Sequence, residues 1–385
     1  MVYTVKMEFP RPDLRYARSR EAMLQAAIEL AQETDIDEIS VSQVVKKASV
    51  SRPTFYTHFE DVDGLLAEVW LWKHREWVMS LCDPGDFEVY EKPESVALLQ
   101  ILLGAPRKPQ VLEIVRVSLT NLFDAHFLSV GERAIAFWTV SNRLGVIATR
   151  KQWPKANDAA FLDGYLNAIS TSLVIKTDFE YSDLDPVPSE KPQNIDSSLI
   201  HATIEIVQAS GVRGLSINRL GRVLGATSAY IHPRITSLTA LVGESFDFAL
   251  KDATRGNFKL WDGGLSRKGI EGFATYIVGG LADQRNNWRL FRREVILTSI
   301  HDRELADAVS GSLDDFLLEV TGKASFLPVP KEIPERLGVL VHTLLFGFSS
   351  LFAVGITVRN LPHADVIRAM FAELGKRVVR GKKLF

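Results

Sequence analysis

Between residues 41 and 59, in VSQVVKKASVSRPTFYTHF, the chain carries Lys46, Lys47 and Arg52 and no acid. The nearest carboxylates are Glu38 on one side and Glu60 on the other. Ser42, Ser49, Ser51, Thr54 and Thr57 add hydroxyls, and Gln43 adds an amide. Exposed helices usually mix charges of both signs, so a stretch cleared of acid points to a polyanionic partner. These groups suit phosphate binding and base-edge hydrogen bonding, not bond making. Other chemistry finds little support. The glycine pairs at 263–264 and 279–280 follow no strand pattern, the eight histidines lack metal-ligand spacing, and Cys82 is the one cysteine. HDRE, residues 301–304, reads as a helix boundary. No catalytic residue, metal site or cofactor is expected, and the protein is not read as an enzyme.

The elements that would position these residues are helical. Upstream, REAMLQAAIELAQE has apolar residues at 23, 24, 27, 28 and 30, close to a 3.6 period, with Ser19 as the expected N-cap. Ser40 precedes the next helix, and Gln43 three positions on completes a capping box. A helix over about 41–48, a tight turn at Ser49-Val50 and a second helix over about 52–58 make a helix-turn-helix. In that arrangement the second helix enters the major groove while the first crosses the backbone. Pro53 fits the first turn, where its missing N–H costs nothing. Ser51, Arg52, Thr54 and Thr57 should face outward, and Val44, Val45, Val50 and Phe55 inward. Ahead of them, Arg11, Arg15, Arg18 and Arg20 form either a basic arm for a minor groove and flanking phosphates or a solvated terminus.

A chain of 385 residues with 46% hydrophobic content is soluble and globular in pattern and long enough for two or three domains. The net charge of −2 means that any attraction to nucleic acid must be local. One cysteine excludes an intrachain disulfide, and MVYTVKMEFPRPDLR lacks the apolar core of a secretory signal. The expected compartment is a reducing cytoplasm. One stretch resists this reading: residues 337–358, LGVLVHTLLFGFSSLFAVGITV, hold no charge and are long enough to span a bilayer. His342, Thr343, Ser349 and Ser350 within it favour a helix buried in a large helical core, and no membrane partner is expected.

The proline-rich stretch DLDPVPSEKPQ, residues 183–193, reads as a linker at the midpoint, and the chain reads as one unit written twice around it. At an offset of 176, identities fall at Ala26/Ala202, Ile28/Ile204, Glu29/Glu205, Gln32/Gln208 and Ser40/Ser216, and continue at Leu65/Leu241 and Glu68/Glu244. At an offset of 178, residues 112–124 lie on 290–302. Ser216 should cap like Ser40, but Arg219 cannot return the bond that Gln43 can. The expected organisation is a headpiece at 1–70, a helical domain at 71–182, the linker, a second headpiece at 194–245 and a second helical domain at 246–385.

VVKKASVSRPTFYTHFEDVDGLL resembles the DNA-binding signature of TetR-type repressors, with Val50, Ser51, Phe55, Tyr56, His58, Phe59 and Leu65 at the pattern positions. With the helix before it, the likeness covers about residues 18–70. Ser49 stands in place of the usual turn glycine, and Val62 in place of a lysine that helps hold phosphate. The resemblance implies DNA contacts from Ser42, Gln43, Lys46, Lys47, Ser51, Arg52, Thr54, Tyr56, Thr57 and His58. In the second unit, which keeps Gly225 but lacks Tyr-x-His-Phe, the matching positions are Arg219, Arg222, Thr227, Ser228, Tyr230, His232 and Arg234. Residues 206–243 there hold four arginines and no acid, so this headpiece is either a DNA reader or a retained scaffold.

The resemblance also implies helical regulatory domains that enclose an apolar effector and pair through C-terminal helices. Residues 161–175 and 337–358 are the expected pairing helices, with Gly164 matching Gly347. Trp70, Trp72, Trp77, Trp138, Trp261, Tyr276, Trp288 and Phe291 could line a pocket, although aromatics at helical spacing are commonly core. The expected whole is an all-α fold of two tandem TetR-like units forming a single-chain pseudodimer, with pairing between two chains as the alternative. Its expected role is a ligand-released repressor that reads double-stranded DNA at an asymmetric operator. The competing reading is a helical ligand-binding or protein-interaction module whose headpieces no longer bind DNA.

Overall fold

The computed structural model describes residues 14–176, 192, 194–262, 269–279, 286–323, 332–357 and 360–379. Among these, helices account for all the regular structure, in keeping with the all-α expectation. Most of the linker, 183–191 and 193, lies outside the described residues, as do Arg11 and the side chain of Trp261.

The first half runs α1 (Leu14–Glu33), α2 (Val41–Lys47), α3 (Arg52–Tyr56), α4 (Val62–Cys82), α5 (Glu94–Gly104), α6 (Pro109–His126), α7 (Val130–Thr149) and α8 (Phe161–Ile169). α1 buries Met23, Leu24, Ala27, Ile28 and Ala31, the face its spacing forecast. It begins five residues before Ser19, because 14–18 hold no breaker, so Ser19 is interior and not an N-cap. α4 starts on Asp61, whose carboxylate accepts from the Gly64 N–H, and buries Leu65, Trp70, Trp77 and Leu81. Gln100 of α5, fully buried, ties headpiece to body. Its amide oxygen accepts from the Ile36 N–H at 3.1 Å, and its amide nitrogen donates to the Ala31 carbonyl.

The second half repeats much of this order with α9 (Ile195–Ser210), α10 (Ile217–Leu224), α11 (Ser228–Ile231), α12 (Leu238–Asp262), α13 (Gly269–Gly279), α14 (Asn286–Ser299), α15 (Arg303–Lys323), α16 (Glu332–Ala353) and α17 (His363–Val379). α10, α11 and α12 begin 176 residues after α2, α3 and α4. Ser49 and Gly225, the same distance apart, are both left-handed, with φ of 55° and 62°. Further on, α5 packs on α1 as α14 packs on α9, and α6 packs on α4 as α15 packs on α12. Residues 112–124 and 290–302 therefore occupy different places, and their alignment at offset 178 is corrected. Both helices are amphipathic, and similar apolar spacing produced the likeness. α13 has no counterpart between α4 and α5.

The centre of the molecule is the crossing of α7 and α16. Every residue of α7 from Ala134 to Thr149 is buried. Gly145 lies against the backbone of Thr343, and Gly347 against the backbone of Ser141; a Cβ at either glycine would penetrate the facing carbonyl. The separation is 202 residues both from Gly145 to Gly347 and from Ser141 to Thr343. The starts of α7 and α16, and of α8 and α17, are also 202 apart. The contact is thus reciprocal, as in a two-fold pair. Thr343 Oγ1 donates to Asn142 Oδ1 at 3.0 Å beside it.

This corrects the expected pairing of 337–358 with 161–175. The uncharged helix packs on α7, on the 3-10 turn Pro154–Ala160 and on α15, and Gly145, not Gly164, is the partner of Gly347. Residues 161–175 are too short a helix, nine residues, to fill that role. Pro334–Ala353 is apolar and long enough to cross a bilayer by composition, but 67% of its most apolar stretch is buried inside the protein. Trp70, Trp77 and Trp138 are core, with their N–H groups donated to Ser118, Ser95 and His363, whereas Trp72 is partly exposed on α4. Cys82 is buried, and burial pushes its thiol pKa up. Asp302 caps α15 by accepting from Leu305 N–H, so HDRE is a helix boundary.

Gly347→Ala should cost about 1–3 kcal/mol in urea unfolding, since the added methyl must push two packed backbones apart. Gly164→Ala, where a Cβ meets nothing within 4 Å, should be neutral or slightly stabilising. Equal effects would refute the crossing.

Candidate nucleic-acid interface

The local chemistry of the first headpiece follows the sequence closely. Ser40 Oγ accepts from the Gln43 N–H and the Gln43 side chain accepts from the Ser40 N–H at 2.8 Å, closing the capping box of α2. Ser51 caps α3, accepting from the Thr54 N–H at 3.2 Å, and Pro53 sits in the first turn. Between them Ser49 takes the left-handed conformation that a glycine would adopt without a Cβ penalty. Val44 and Phe55 are fully buried, and Val50 packs against the same core. The two helices are held by apolar contacts on one side, which leaves the other free to carry polar groups.

On that outer side lie Ser42, Lys46, Ser51, Arg52, Tyr56 and Thr57, all exposed. The Arg52 guanidinium donates to Ser42 Oγ across the turn, so the two helices present one continuous polar surface. Tyr56 is 60% exposed, its ring meeting Phe55 edge-on at 5.4 Å, with the hydroxyl outward. Thr54 is half-buried, its hydroxyl 2.8 Å from that of Ser51. Thr57 Oγ1 donates to the Thr54 carbonyl at 2.7 Å.

Three expected contacts are occupied elsewhere. Lys47 pairs with Glu33 at 2.8 Å and with Glu29 at 3.6 Å on α1. The hydrogen bond it donates to the Glu33 carboxylate holds its ammonium pKa above the ordinary value. Sequence reasoning missed this because the acids are fourteen and eighteen positions upstream and meet Lys47 only through the fold. His58 stacks on Tyr16 at 4.0 Å, and its Nε2 lies 2.8 Å from Ser19 Oγ. Burial, then the charge of Arg20, lowers its pKa, which suits a neutral packing group. The Gln43 amide oxygen is used by the cap. Nor do the described upstream arginines form an arm, Arg11 lying outside the described residues. Arg15, Arg18 and Arg20 lie on α1, and Arg20 pairs with Glu68.

The second headpiece is reduced. α11 is four residues long and runs into a 3-10 turn at His232–Arg234, because Pro233 denies the helix a donor. Ser216 Oγ accepts from the Arg219 N–H without a returned bond, as expected. The Arg219 side chain turns inward instead, donating to Ser210 Oγ and the Gly214 carbonyl at 2.7 and 2.8 Å. Arg234 folds over the Tyr230 ring at 3.8 Å and donates to the Tyr230 carbonyl. Arg213 reaches the first headpiece and pairs with Glu38 at 2.6 Å. Arg222, Thr227, Ser228, Tyr230 and His232 remain exposed.

The headpieces are therefore tied to each other. Besides Arg213–Glu38, Arg107 meets both Asp37 of the first headpiece and Glu294 of α14, at 2.5 and 3.0 Å. Lys108 bridges Asp37 and Asp63. Much of this network is shielded from solvent, where ion pairs resist salt better than on the surface.

Comparison with known proteins agrees with this geometry. Residues 23–69 match TetR_N, bacterial regulatory proteins of the tetR family. Residues 23–69 are a TetR_N domain. A 49-residue segment is 41% identical to YvdT, an uncharacterized HTH-type transcriptional regulator of Bacillus subtilis (strain 168). That match spans 13% of this chain and 25% of the relative's length.

In this TetR_N domain Ser49→Gly should raise the thermal midpoint, equivalent to up to about 1 kcal/mol, by relieving the left-handed Cβ. A lower midpoint by circular dichroism would mean that the serine hydroxyl contributes more than the strain costs.

Proposed function

We propose that the protein is a sequence-specific, double-stranded DNA-binding transcriptional regulator whose first headpiece provides the main reading surface. The observation that carries this is the acid-free outer face of α2 and α3. There Lys46 and Arg52 are exposed without a carboxylate partner among the described residues, while Lys47, one position away, is neutralised. Arg52, Thr54 and Tyr56 are the residues placed for groove and phosphate contacts, and Lys46 for the flanking backbone. Phosphate contacts set register and orientation, and the side chains of α3 read base edges.

The two halves are read as tandem TetR-like units that together act as one pseudodimer. The support is the common 176-residue spacing of the headpiece elements, the shared left-handed turn and the reciprocal α7–α16 contact. A repressor released by a small ligand is the mode of action that follows, with the body between headpieces coupling ligand to DNA. The second headpiece contributes less, since Arg219 and Arg234 are bound within it and its recognition helix is a single turn. Those same features favour the scaffold reading for that headpiece alone.

Two measurements test the proposal. Arg52→Ala with Tyr56→Ala should weaken DNA binding, and loss of the Arg52 phosphate contact should lower the salt slope by about one unit. An unchanged slope and affinity would sink the assignment.

Selection from a random DNA pool should return two unlike half-sites, because Arg52, Thr54, Tyr56 and Thr57 stand where the second unit has Ser228, Tyr230, His232 and Pro233. Light scattering should give the mass of one chain. A clean palindrome with a two-chain mass would mean that two chains pair and each reads with its first headpiece.

A further inference from the structure

α14 places Arg289, Arg292 and Arg293 within five residues, all three buried, at 6%, 6% and 4% exposure. A cavity of about 220 Å³ lies between this helix and α16, lined by Arg289, Leu290, Arg293, Ser349, Phe352 and Ala353. Buried guanidinium groups are costly unless paired. Glu294 is the carboxylate that meets Arg293, at 2.9 Å, and it is shared with Arg107. Arg293 Nη1 is buried and has no hydrogen-bond partner among the described residues, and neither has Arg292 Nε. Arg292 donates to Ser349 Oγ at 3.2 Å and lies over the rings of Trp288 and Phe346. Burial, then the positive charge of Arg289, lowers its pKa to about 10. The guanidinium groups of Arg289 and Arg293 thus meet at a small cavity lined otherwise by Ser349 and by the apolar Leu290, Phe352 and Ala353.

We propose that this cavity binds a small organic oxyanion, a carboxylate or phosphate monoester on a short apolar group, and that this is the ligand to which the regulator responds. Arg293 and Arg289 take the anionic group in charge-assisted hydrogen bonds, with Ser349 alongside. Leu290, Phe352 and Ala353 take the apolar part. The volume is below the roughly 300–1,000 Å³ typical of drug-sized ligands, which limits the guest to a few heavy atoms beyond the anion. This narrows the expectation of a purely apolar effector. The site occurs once per chain: α5, the helix that packs in the first half as α14 does in the second, carries no basic residue.

The regulatory consequence rests on the function proposed above, but binding itself does not. Isothermal titration of the full chain, without DNA, should therefore use benzoate, hexanoate and phenyl phosphate, with benzamide as the neutral control. The expected result is saturable binding of at least one anion at one site per chain, no comparable binding of benzamide, and at least tenfold weaker binding by Arg293→Gln. Arg289→Lys and Ser349→Ala, which keep the charge or the volume, guard against misfolding of the first variant and should each weaken binding. No binding by any of the three anions, equal binding of benzamide, or wild-type affinity in the folded variants would overturn the site. A chain that binds the anion yet enriches no DNA sequence would leave the site standing and refute the DNA-binding reading. DNA binding unaffected by a bound anion would refute the regulatory role.

Discussion

The constraint on which this molecule depends is the approach of two helix backbones at Gly145 and Gly347. Neither position has room for a methyl group, because the facing Thr343 and Ser141 carbonyls occupy it. Close approach brings Asn142 within 3.0 Å of Thr343 Oγ1 and lets α16 bury an uncharged surface that would otherwise need lipid or a second chain. α7 then has to be buried on every side, and several of its polar groups find partners inside the protein, among them Thr139, Asn142 and Thr149. Arg143, fully buried, meets Asp163 at 2.9 Å and donates to the Ser80 carbonyl at 2.7 Å. Removing one partner of such a pair would be far more costly than the pair is stabilising.

From this crossing the order is passed outward to the headpieces. α5 lies between the central helices and α1, and Gln100 fixes it to the end of α1. Arg107 and Lys108, immediately after α5, hold Asp37. The path from the body to the first headpiece is thus made of buried hydrogen bonds and shielded ion pairs, and Glu294 joins it directly to α14. A charge change near the arginines of α14 would be felt by Arg107, because Arg293 and Arg107 share the Glu294 carboxylate. That shared group is a physical route between the cavity and the headpiece junction.

Local features were legible in the sequence wherever the determining residues are neighbours. The Ser40–Gln43 box, Pro53 in the first turn and the inward set Val44, Val45 and Phe55 all follow from spacing within one turn or two, whereas the cap at Ser51 appears only in the structure. The left-handed turn at residue 49 was legible from the second unit, where Gly225 stands at the corresponding position. What could not be read were the partners brought in by tertiary structure. Lys47 looked like Lys46 until α1 supplied Glu33 and Glu29. Arg219 looked outward until Ser210 and Gly214 came within reach. Gly164 was matched to Gly347 as its equivalent, a place that Gly145 holds, because a glycine in an apolar helix carries no mark of which neighbour needs its space. The arginines of α14 carry no sign in the sequence that they are buried, since arginines at this spacing lie on a solvated face in most helices.

The two-fold features and the asymmetric ones are therefore separable by what each must do. The frame needs two helices that meet reciprocally, and there the halves agree in position and in the small residue at the contact. If both heads read DNA as proposed, they need only be held at a fixed separation, and there the sequences differ at Arg52 and Ser228, Tyr56 and His232. The body between them has diverged furthest, with α13 and the α14 arginines present in one half alone. A pair of identical subunits cannot make that division, since every substitution appears twice. On the function proposed above, carrying both halves on one chain lets one half hold the principal DNA surface and the other the buried cationic cavity. Glu294 and Arg107 lie where those two specialisations meet.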